Sequence, residues 1–191
     1  MSPTQPDLRQ LDEVATPIGV VALVTNEAGA VCACGFVDNH RRMAETLQRY
    51  DTAPAFRLVR TANPGGVSSA VRAYFDGELA ALDAIPVEIG GTAFEAAVWR
   101  ALRRIPCGQT RSYRDMAEAL GRPRAVRAIG MANGKNPAGL IVPCHRVIGA
   151  DGSLTGYGGG LERKRWLLRH EGALPVTASL PFAAPSAEHA G

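Results

Sequence analysis

The stretch Thr16–Phe36 constrains the fold more than any other part of the sequence. It reads TPIGVVALVTNEAGAVCACGF, two apolar, β-branched runs joined by a polar turn around Asn26–Gly29, which is the pattern of a β-hairpin. Short strands are also predicted at 57–60 and 87–89, and helical spacing recurs at 40–50, 66–75, 94–105, 113–120, 124–133 and 161–170. The chain is therefore predicted to be an α+β protein, with a small N-terminal sheet-and-helix domain followed by a mainly helical C-terminal domain.

By composition, the 191 residues divide into four segments. Residues 1–12 are polar with two prolines, and residues 173–191 are rich in Ala, Pro and Ser, so both are predicted to be flexible. Residues 13–91 form the predicted N-terminal α+β domain, and residues 92–172 form the predicted C-terminal domain.

The cysteine content and the hydropathy exclude two classes of protein. The four cysteines are too few and too irregularly spaced for a disulfide scaffold. No apolar run approaches the roughly 18 to 20 residues that cross a bilayer. We therefore expect a reduced, cytoplasmic protein that does not associate with membranes.

The net charge of +3 hides a division between the two halves of the chain. Residues 94–172 carry 14 Arg and Lys against six acidic residues, whereas residues 1–93 carry seven Arg against 11 acidic residues. A basic block of this size is typical of a surface that binds phosphates, because neutralised phosphates release counterions. A solvated surface, in a protein from an Arg-rich proteome, explains the charge alone equally well.

Two predicted helices in the basic half are joined by a short turn. Ser112 is the expected N-cap of the first helix, which Gly121 ends. The second helix runs from about Arg124 to Asn133, with Arg124 and Arg127 facing outward. This arrangement predicts a helix-turn-helix. Such helix pairs also occur in proteins that never contact DNA, so it is the basic charge that favours DNA binding here.

The stretch 136–149, NPAGLIVPCHRVIG, carries the most chemical information. Its apolar run places Cys144 in a buried position, where desolvation raises the pKa of a thiol and normally leaves it inert. His145 changes this expectation, because an imidazole can take the thiol proton directly or through one water. A carboxylate is needed to hold the other imidazole nitrogen, and the spacing leaves both Glu162 and Glu171 as candidates.

Four motifs follow one another in the second half. They are IPCG-x-x-x-SY at 105–113, RPRAVRAIG at 122–130, NPAGLIVPCHRVIG at 136–149 and G-x-LTGYGGGLERKRWLLRHEG at 152–172. In order and spacing they strongly resemble the O6-alkylguanine-DNA alkyltransferases, also called methylated-DNA–protein-cysteine methyltransferases. The first half resembles the variable N-terminal domain of that family only in length and hairpin pattern.

The resemblance implies a role for individual residues. Cys144 accepts the alkyl group, and His145 acts through water as its base. Glu171, rather than Glu162, orients His145. Asn136 is the hinge residue that ties the recognition helix to the active-site turn. The residues expected to bind the substrate or the DNA are Tyr113, Arg127, Val147, Tyr157, Gly158, Ser112 and Arg124.

The function implied by the resemblance is DNA repair. The alkyl group of O6-alkylguanine, and also of O4-alkylthymine, passes irreversibly from double-stranded DNA to the protein's own cysteine, once per molecule. The nucleotide is flipped out of the duplex, Arg127 fills the space it leaves, and Tyr113 helps to rotate its phosphate. Docking through the minor groove is implied. We expect a monomer, with cooperative binding on DNA as an open alternative, and neither a metal nor an organic cofactor.

Two other functions fit parts of the sequence. A non-catalytic damage-recognition module, like the alkyltransferase-like proteins, has another residue where Cys144 stands. A helix-turn-helix regulator would leave the Cys-His-Glu set without a purpose.

This chain departs from the family pattern at Gly139 and Gly158, where many relatives carry larger residues. Two glycines lining a pocket predict a roomier, more flexible site that tolerates larger O6 adducts.

Overall fold

The fold is that of a computed structural model, which describes residues 6–53 and 55–175. Its main sheet has the strand order β3-β2-β1-β4. The strands are β1 (Asp7–Thr16), β2 (Gly19–Asn26), β3 (Val31–Phe36) and β4 (Phe56–Arg60). Strand β2 is antiparallel to β1 and β3, whereas β4 is parallel to β1. The hairpin predicted within Thr16–Phe36 is confirmed as β2 and β3.

The expectation that residues 1–12 are flexible is wrong from Asp7 onward, where strand β1 begins. Residues 7–11 pair with β4, and β1 pairs with β2 from Arg9 onward. Arg9 is buried, and its Nε donates to Asp51 Oδ2 at 2.7 Å. The strand was missed because its sequence, DLRQLDEVAT, does not alternate apolar and polar residues. Its place is set instead by backbone hydrogen bonds to two neighbours.

The other end of the chain also begins more ordered than expected. The backbone amides of Ala173 and Leu174 donate to the carbonyl oxygen of Leu168, at 2.8 and 3.2 Å, so the predicted flexible tail does not start at 173. Residues 1–5 and 176–191, which hold the rest of the two predicted flexible segments, lie outside the described residues.

Six α-helices are present in the described ranges, and each overlaps a predicted helix, although the helix predicted to run to 105 ends at Leu102. They are α1 (His40–Tyr50), α2 (Val67–Phe75), α3 (Ala93–Leu102), α4 (Tyr113–Ala119), α5 (Val126–Gly134) and α6 (Leu161–His170). The strand predicted at 87–89 is wrong: Val87 forms only an isolated bridge with Val31.

The start of α4 is fixed close to the segment that carries the candidate site. Ser112 is its N-cap, as predicted: the Ser112 hydroxyl accepts from the Asp115 amide at 3.0 Å, and the Asp115 carboxylate accepts from the Ser112 amide at 2.8 Å. This reciprocal pair is a capping box. Strand β5 (Arg111–Ser112) also pairs in parallel with β6 (Val147–Ile148), which follows the turn Cys144–Arg146.

Helices α4 and α5 pack against each other and are joined by the connection 120–125. Helix α5 begins at Val126, so Arg124 lies in the connection rather than in the helix. Ile129 and Ala132 are buried as predicted, but Val126 is 37% exposed and does not face the core.

One hydrophobic core joins the sheet to the C-terminal helices. Arg163 of α6 donates to the Ile18 carbonyl oxygen at 2.8 Å and pairs with Asp38. The Cys34 amide donates to the Pro137 carbonyl oxygen at 3.0 Å. These contacts fix the N-terminal sheet against the segment that leads to Cys144, and the predicted α+β fold is confirmed. No helix within the described ranges is long and apolar enough to span a membrane.

Candidate active site

Cys144 opens a short 3-10 turn, Cys144–Arg146, after the buried residues Ile141 and Val142. It is 7% exposed. Burial raises the pKa of its thiol, while the Asn136 amide and the positive charges of Lys164 and Arg42 act in the opposite direction. The thiol is therefore protonated at rest and needs a base before it can act as a nucleophile.

His145 is fully buried, and its Nε2 lies 2.9 Å from Glu171 Oε1. A carboxylate accepts, so this contact assigns the proton to Nε2 and leaves a lone pair on Nδ1. Nδ1 is buried and has no hydrogen-bond partner among the described residues. Burial lowers the pKa of His145, against the opposing effect of Glu171. The imidazole is thus neutral, with one nitrogen ready to accept a proton.

Glu171 is buried where three side chains converge on it. Besides His145, it accepts from Arg146 Nε and Nη2, each at 2.9 Å, and from the Tyr74 hydroxyl at 2.8 Å. Burial alone would raise the pKa of Glu171, but the hydrogen bonds from His145 and Arg146, together with the charge of Arg146, outweigh it and hold the pKa well below its ordinary value. Glu162, by contrast, is exposed and paired with Arg165.

Asn136 fastens the segment between α5 and the Cys144 turn. Its Nδ2 donates to the Val142 carbonyl oxygen at 2.7 Å, and its Oδ1 accepts from the Ala138 amide at 3.1 Å. Both ends of the side chain are therefore used to shape the stretch that delivers Cys144.

A cavity of about 70 Å³ lies beside Cys144, between the N-terminal sheet and the C-terminal half. Its wall includes Asn136, Gly139, Tyr157 and Gly158 from the sequence-derived set. The Tyr157 ring stands edge-on to His145, with the ring centroids 6.3 Å apart.

Val147 does not line this cavity. It is fully buried, and its carbonyl oxygen accepts from Lys164 Nζ at 2.6 Å.

The remaining predicted residues do not line the cavity and lie on α4 and α5 or directly beside them. Arg124 and Arg127 are exposed, and Ser112 is half-buried at its cap position. Tyr113 is half-buried, and its ring packs on Gly130 of α5. The structure therefore separates a nucleophile site from a basic helical surface.

Three supporting residues were missed by sequence reasoning. Arg146 is buried, and its Nη1 also donates to the Ile105 carbonyl oxygen at 2.7 Å. Tyr74 comes from α2, and no local signal connects it with Glu171. Lys164 is fully buried and also donates to the Thr155 carbonyl oxygen at 2.6 Å; burial lowers its pKa to about 8. Within the run ERKR it has the pattern of a solvated helix residue.

The arrangement can carry out one kind of chemistry well. A buried thiol, a neutral imidazole with an available nitrogen and an ionised carboxylate form a cysteine-centred nucleophile site. The four cysteines are all free thiols. Among residues 6–53 and 55–175, no group of three or more His, Cys, Asp or Glu side chains is placed to hold a metal ion. Fold and site together define a cysteine-dependent group-transfer protein.

Comparisons with known proteins agree with this class. The family model of the 6-O-methylguanine DNA methyltransferase DNA-binding domain matches residues 93–173. A methylated-DNA–protein-cysteine methyltransferase of Shigella flexneri is 46% identical over 168 residues, covering 87% of this chain and 98% of that protein. The enzyme of the same name from Mycobacterium tuberculosis is 47% identical over 161 residues, covering 83% and 89%.

Solved structures give the same result. The crystal structure of the Mycobacterium tuberculosis O6-methylguanine methyltransferase superposes with a TM-score of 0.71 at 36% identity, covering 88% of this chain and 96% of that one. The enzyme from Pyrococcus kodakaraensis gives a TM-score of 0.63 at 27% identity, covering 86% and 99%. The chain belongs to the methylated-DNA–protein-cysteine methyltransferase family, which confirms the resemblance and the enzyme class expected from the sequence.

Proposed function

We propose that the protein repairs DNA by moving the alkyl group of O6-alkylguanine irreversibly onto Cys144. The observation that carries this proposal is the buried set of Cys144, His145 and Glu171, in which Nδ1 of the imidazole remains available. The relatives support the substrate class, since their names specify methylated DNA.

The reaction begins with transfer of the Cys144 thiol proton to His145 Nδ1, through one water. Glu171 holds the opposite nitrogen and stabilises the imidazolium that forms. The thiolate then attacks the alkyl carbon in line, a C–S bond forms, and the C–O bond breaks with its electron pair moving onto guanine. The proton that His145 took from the thiol passes through water to the leaving guanine, which leaves His145 neutral again, and the Tyr113 hydroxyl is proposed to donate a hydrogen bond to that guanine. The product thioether is stable, so each molecule reacts once.

The burial of Cys144 requires the damaged nucleotide to leave the duplex. O6 faces the interior of the base pair. Flipping the nucleotide out of the duplex costs a few kcal/mol, and less for a damaged pair. We assign the filling of the vacated space to Arg127, which is exposed on α5. We assign the flipped base to the backbone of Val147 and to Tyr157 and Gly158. The same route would serve O4-alkylthymine.

DNA binding is assigned to residues 92–172, with α4 and α5 acting as a helix-turn-helix. Ser112, Tyr113 and Arg124 lie on its surface and are proposed to contact phosphates, with Asn136 as the hinge to the active-site turn. A crystal structure of the Mycobacterium tuberculosis OGT in complex with DNA, 37% identical to this chain, supports DNA binding, and the family model of the DNA-binding domain supports placing it within residues 93–173. We propose minor-groove docking by a monomer in the cytoplasm.

The proposal is tested with a DNA duplex that carries O6-methylguanine labelled in its methyl group. We expect the label to plateau at one methyl group per chain, with peptide mapping placing it on Cys144. Cys144→Ser should bind the duplex without accepting label. Cys107→Ser is the matched control, because Cys107 is a half-buried thiol outside the site, and it should react like the wild type.

The same experiment separates the rival functions. Binding by the wild type without transfer would support a damage-recognition module or a regulator instead. Transfer that persists in Cys144→Ser would show that another residue is the acceptor.

A further inference from the structure

Helix α1 of the N-terminal half closes one side of the cavity beside Cys144. Asn39, just before the helix, donates from Nδ2 to the Gly158 carbonyl oxygen at 2.9 Å. One turn later, the Arg42 guanidinium donates through Nη2 to the carbonyl oxygen of Gly134, at the end of α5. Arg42, Gly134 and Gly158 all line the cavity. Arg42 therefore bridges its mouth.

The Arg42 guanidinium occupies the space that Gly158 leaves free. A Cβ atom built on Gly158 would lie 3.3 Å from each of Cζ, Nη1 and Nη2 of Arg42, closer than ordinary van der Waals contact. A Cβ atom built on Gly139 would contact only the Cys34 carbonyl oxygen, at an ordinary distance of 3.6 Å. The room predicted from the glycine at 158 is thus filled by a side chain from the other half of the protein.

The cavity is partly open to solvent and is small for its proposed substrate. Its volume of about 70 Å³ compares with the roughly 300 Å³ or more typical of sites that hold a small molecule. Arg42 can move, because it is exposed and its hydrogen bond goes to a neutral carbonyl oxygen. No ion pair holds it among the described residues.

We propose that Arg42 is a specificity-determining residue that restricts the O6 adducts reaching Cys144. With its guanidinium over Gly158, the site favours the methyl adduct. A bulky aromatic adduct reacts only in the fraction of molecules in which Arg42 has left Gly134. This inference rests on the proposed alkyl transfer.

The test compares single-turnover rate constants for O6-benzylguanine and O6-methylguanine in the same duplex. In Arg42→Ala the benzyl-to-methyl ratio should rise about tenfold, which corresponds to about 1.4 kcal/mol of differential barrier. That size is at the lower end of what one methylene group contributes to pocket specificity, about 10-fold to 200-fold. Arg42→Gln, which keeps a shorter polar side chain, should raise the ratio less.

Arg41→Ala is the matched control, because Arg41 is exposed on the same helix and does not line the cavity. Its ratio should equal that of the wild type. Circular dichroism confirms folding, and Arg42→Gln decides the question if Arg42→Ala is unfolded.

A rise smaller than threefold would overturn the inference. This includes the outcome in which both rates fall together, because an arginine that only stabilises the thiolate would affect both substrates equally. Absence of methyl transfer by the wild type would instead refute the proposed function, so the two failures are distinguishable.

Discussion

At the active site, one carboxylate holds three neighbouring side chains in place. Glu171 fixes the tautomer of His145, neutralises the buried guanidinium of Arg146 and accepts from the Tyr74 hydroxyl. A buried ion pair contributes little net stability, but removal of one partner leaves an uncompensated charge. We therefore expect Glu171 to matter both for the proposed alkyl transfer and for the stability of the core around it.

Glu171→Gln is expected to slow alkyl transfer and to destabilise the fold. Loss of the negative charge weakens the basicity of His145, and general-base catalysis contributes about 10²-fold to 10⁴-fold. Arg146 is left without its counterion, which costs about 3 to 5 kcal/mol of unfolding free energy. Single-turnover kinetics and urea denaturation measure the two effects, with kinetics run where circular dichroism shows a folded protein.

Glu162→Gln is the control for that prediction. Among the described residues Glu162 is exposed and pairs only with Arg165 on the surface of α6, so the unfolding free energy of the Glu162→Gln variant should change by less than about 0.5 kcal/mol. A rate for Glu171→Gln within threefold of the wild type would contradict the assigned role.

At the scale of elements, Glu95 joins two helices that frame the site. Its carboxylate caps the N-terminus of α3, accepting from the Thr92 amide and hydroxyl at 3.0 Å each. It also accepts from Lys135 Nζ at 3.0 Å, immediately after α5. The cap hydrogen bond from Thr92, assisted by Lys135, lowers the pKa of Glu95 from 4.5 to about 2 despite burial.

This lowered pKa predicts an acid-sensitive contribution to stability. A depressed carboxyl pKa stabilises the fold above its unfolded-state value, and the stabilisation is lost as the pH falls toward the folded-state value. Between about pH 5 and about pH 2, the unfolding free energy of the wild type should therefore fall more steeply than that of Glu95→Gln. Urea denaturation at several pH values gives the slopes.

Glu78→Gln provides the comparison, because Glu78 is exposed and forms no ion pair among the described residues. Its slope should match that of the wild type. Equal slopes for Glu95→Gln and the wild type would refute the prediction.

The sequence predicts helices better than strands in this protein, for a physical reason. Helix α6 was predicted from 161 to 170 because its periodicity is local. Strand β1 was missed because its position depends on pairing with β2 and β4, which are distant in sequence. The segment 87–89 is β-branched but meets only Val31, so its apolar character alone did not make it a strand.

The same distinction applies to the site. Cys144 and His145 are adjacent, and Glu171 followed from the resemblance. Tyr74 and Arg42 reach the site from the N-terminal half through tertiary packing, and nothing in their local sequence indicates it. A residue's chemistry can be predicted from a motif, but contacts between distant segments require the folded chain.

On the scale of the whole molecule, the acidic and basic residues are divided between the two halves of the chain. The acidic half carries the main sheet, and the basic half carries α3 to α6 with exposed Arg124 and Arg127. This asymmetry is expected to orient the protein on DNA with the α4–α5 surface toward the phosphates.

Binding to DNA should weaken as salt rises, with a contribution from each phosphate contact. For Arg124→Ala we expect the slope of log K against log salt to become shallower by about 0.9, independently of base sequence. Fluorescence anisotropy over a salt series measures it. Arg60→Ala is the matched control: Arg60 is exposed on β4 and paired with Glu13, so the slope should not change. An unaltered slope for Arg124→Ala would remove that residue from the interface.

The hydrogen bond from Tyr74 to Glu171 has a consequence for protein engineering. A chimera that transplanted residues 92–172 onto an unrelated partner would bring along Cys144, His145 and Glu171, but not the Tyr74 hydroxyl that α2 supplies. Its carboxylate would be one donor short, and Pro137 would lose the backbone amide of Cys34. Residues 92–172 are therefore not expected to keep the geometry of the site when they are moved alone, and grafting experiments should transfer the whole span from 7 to 174.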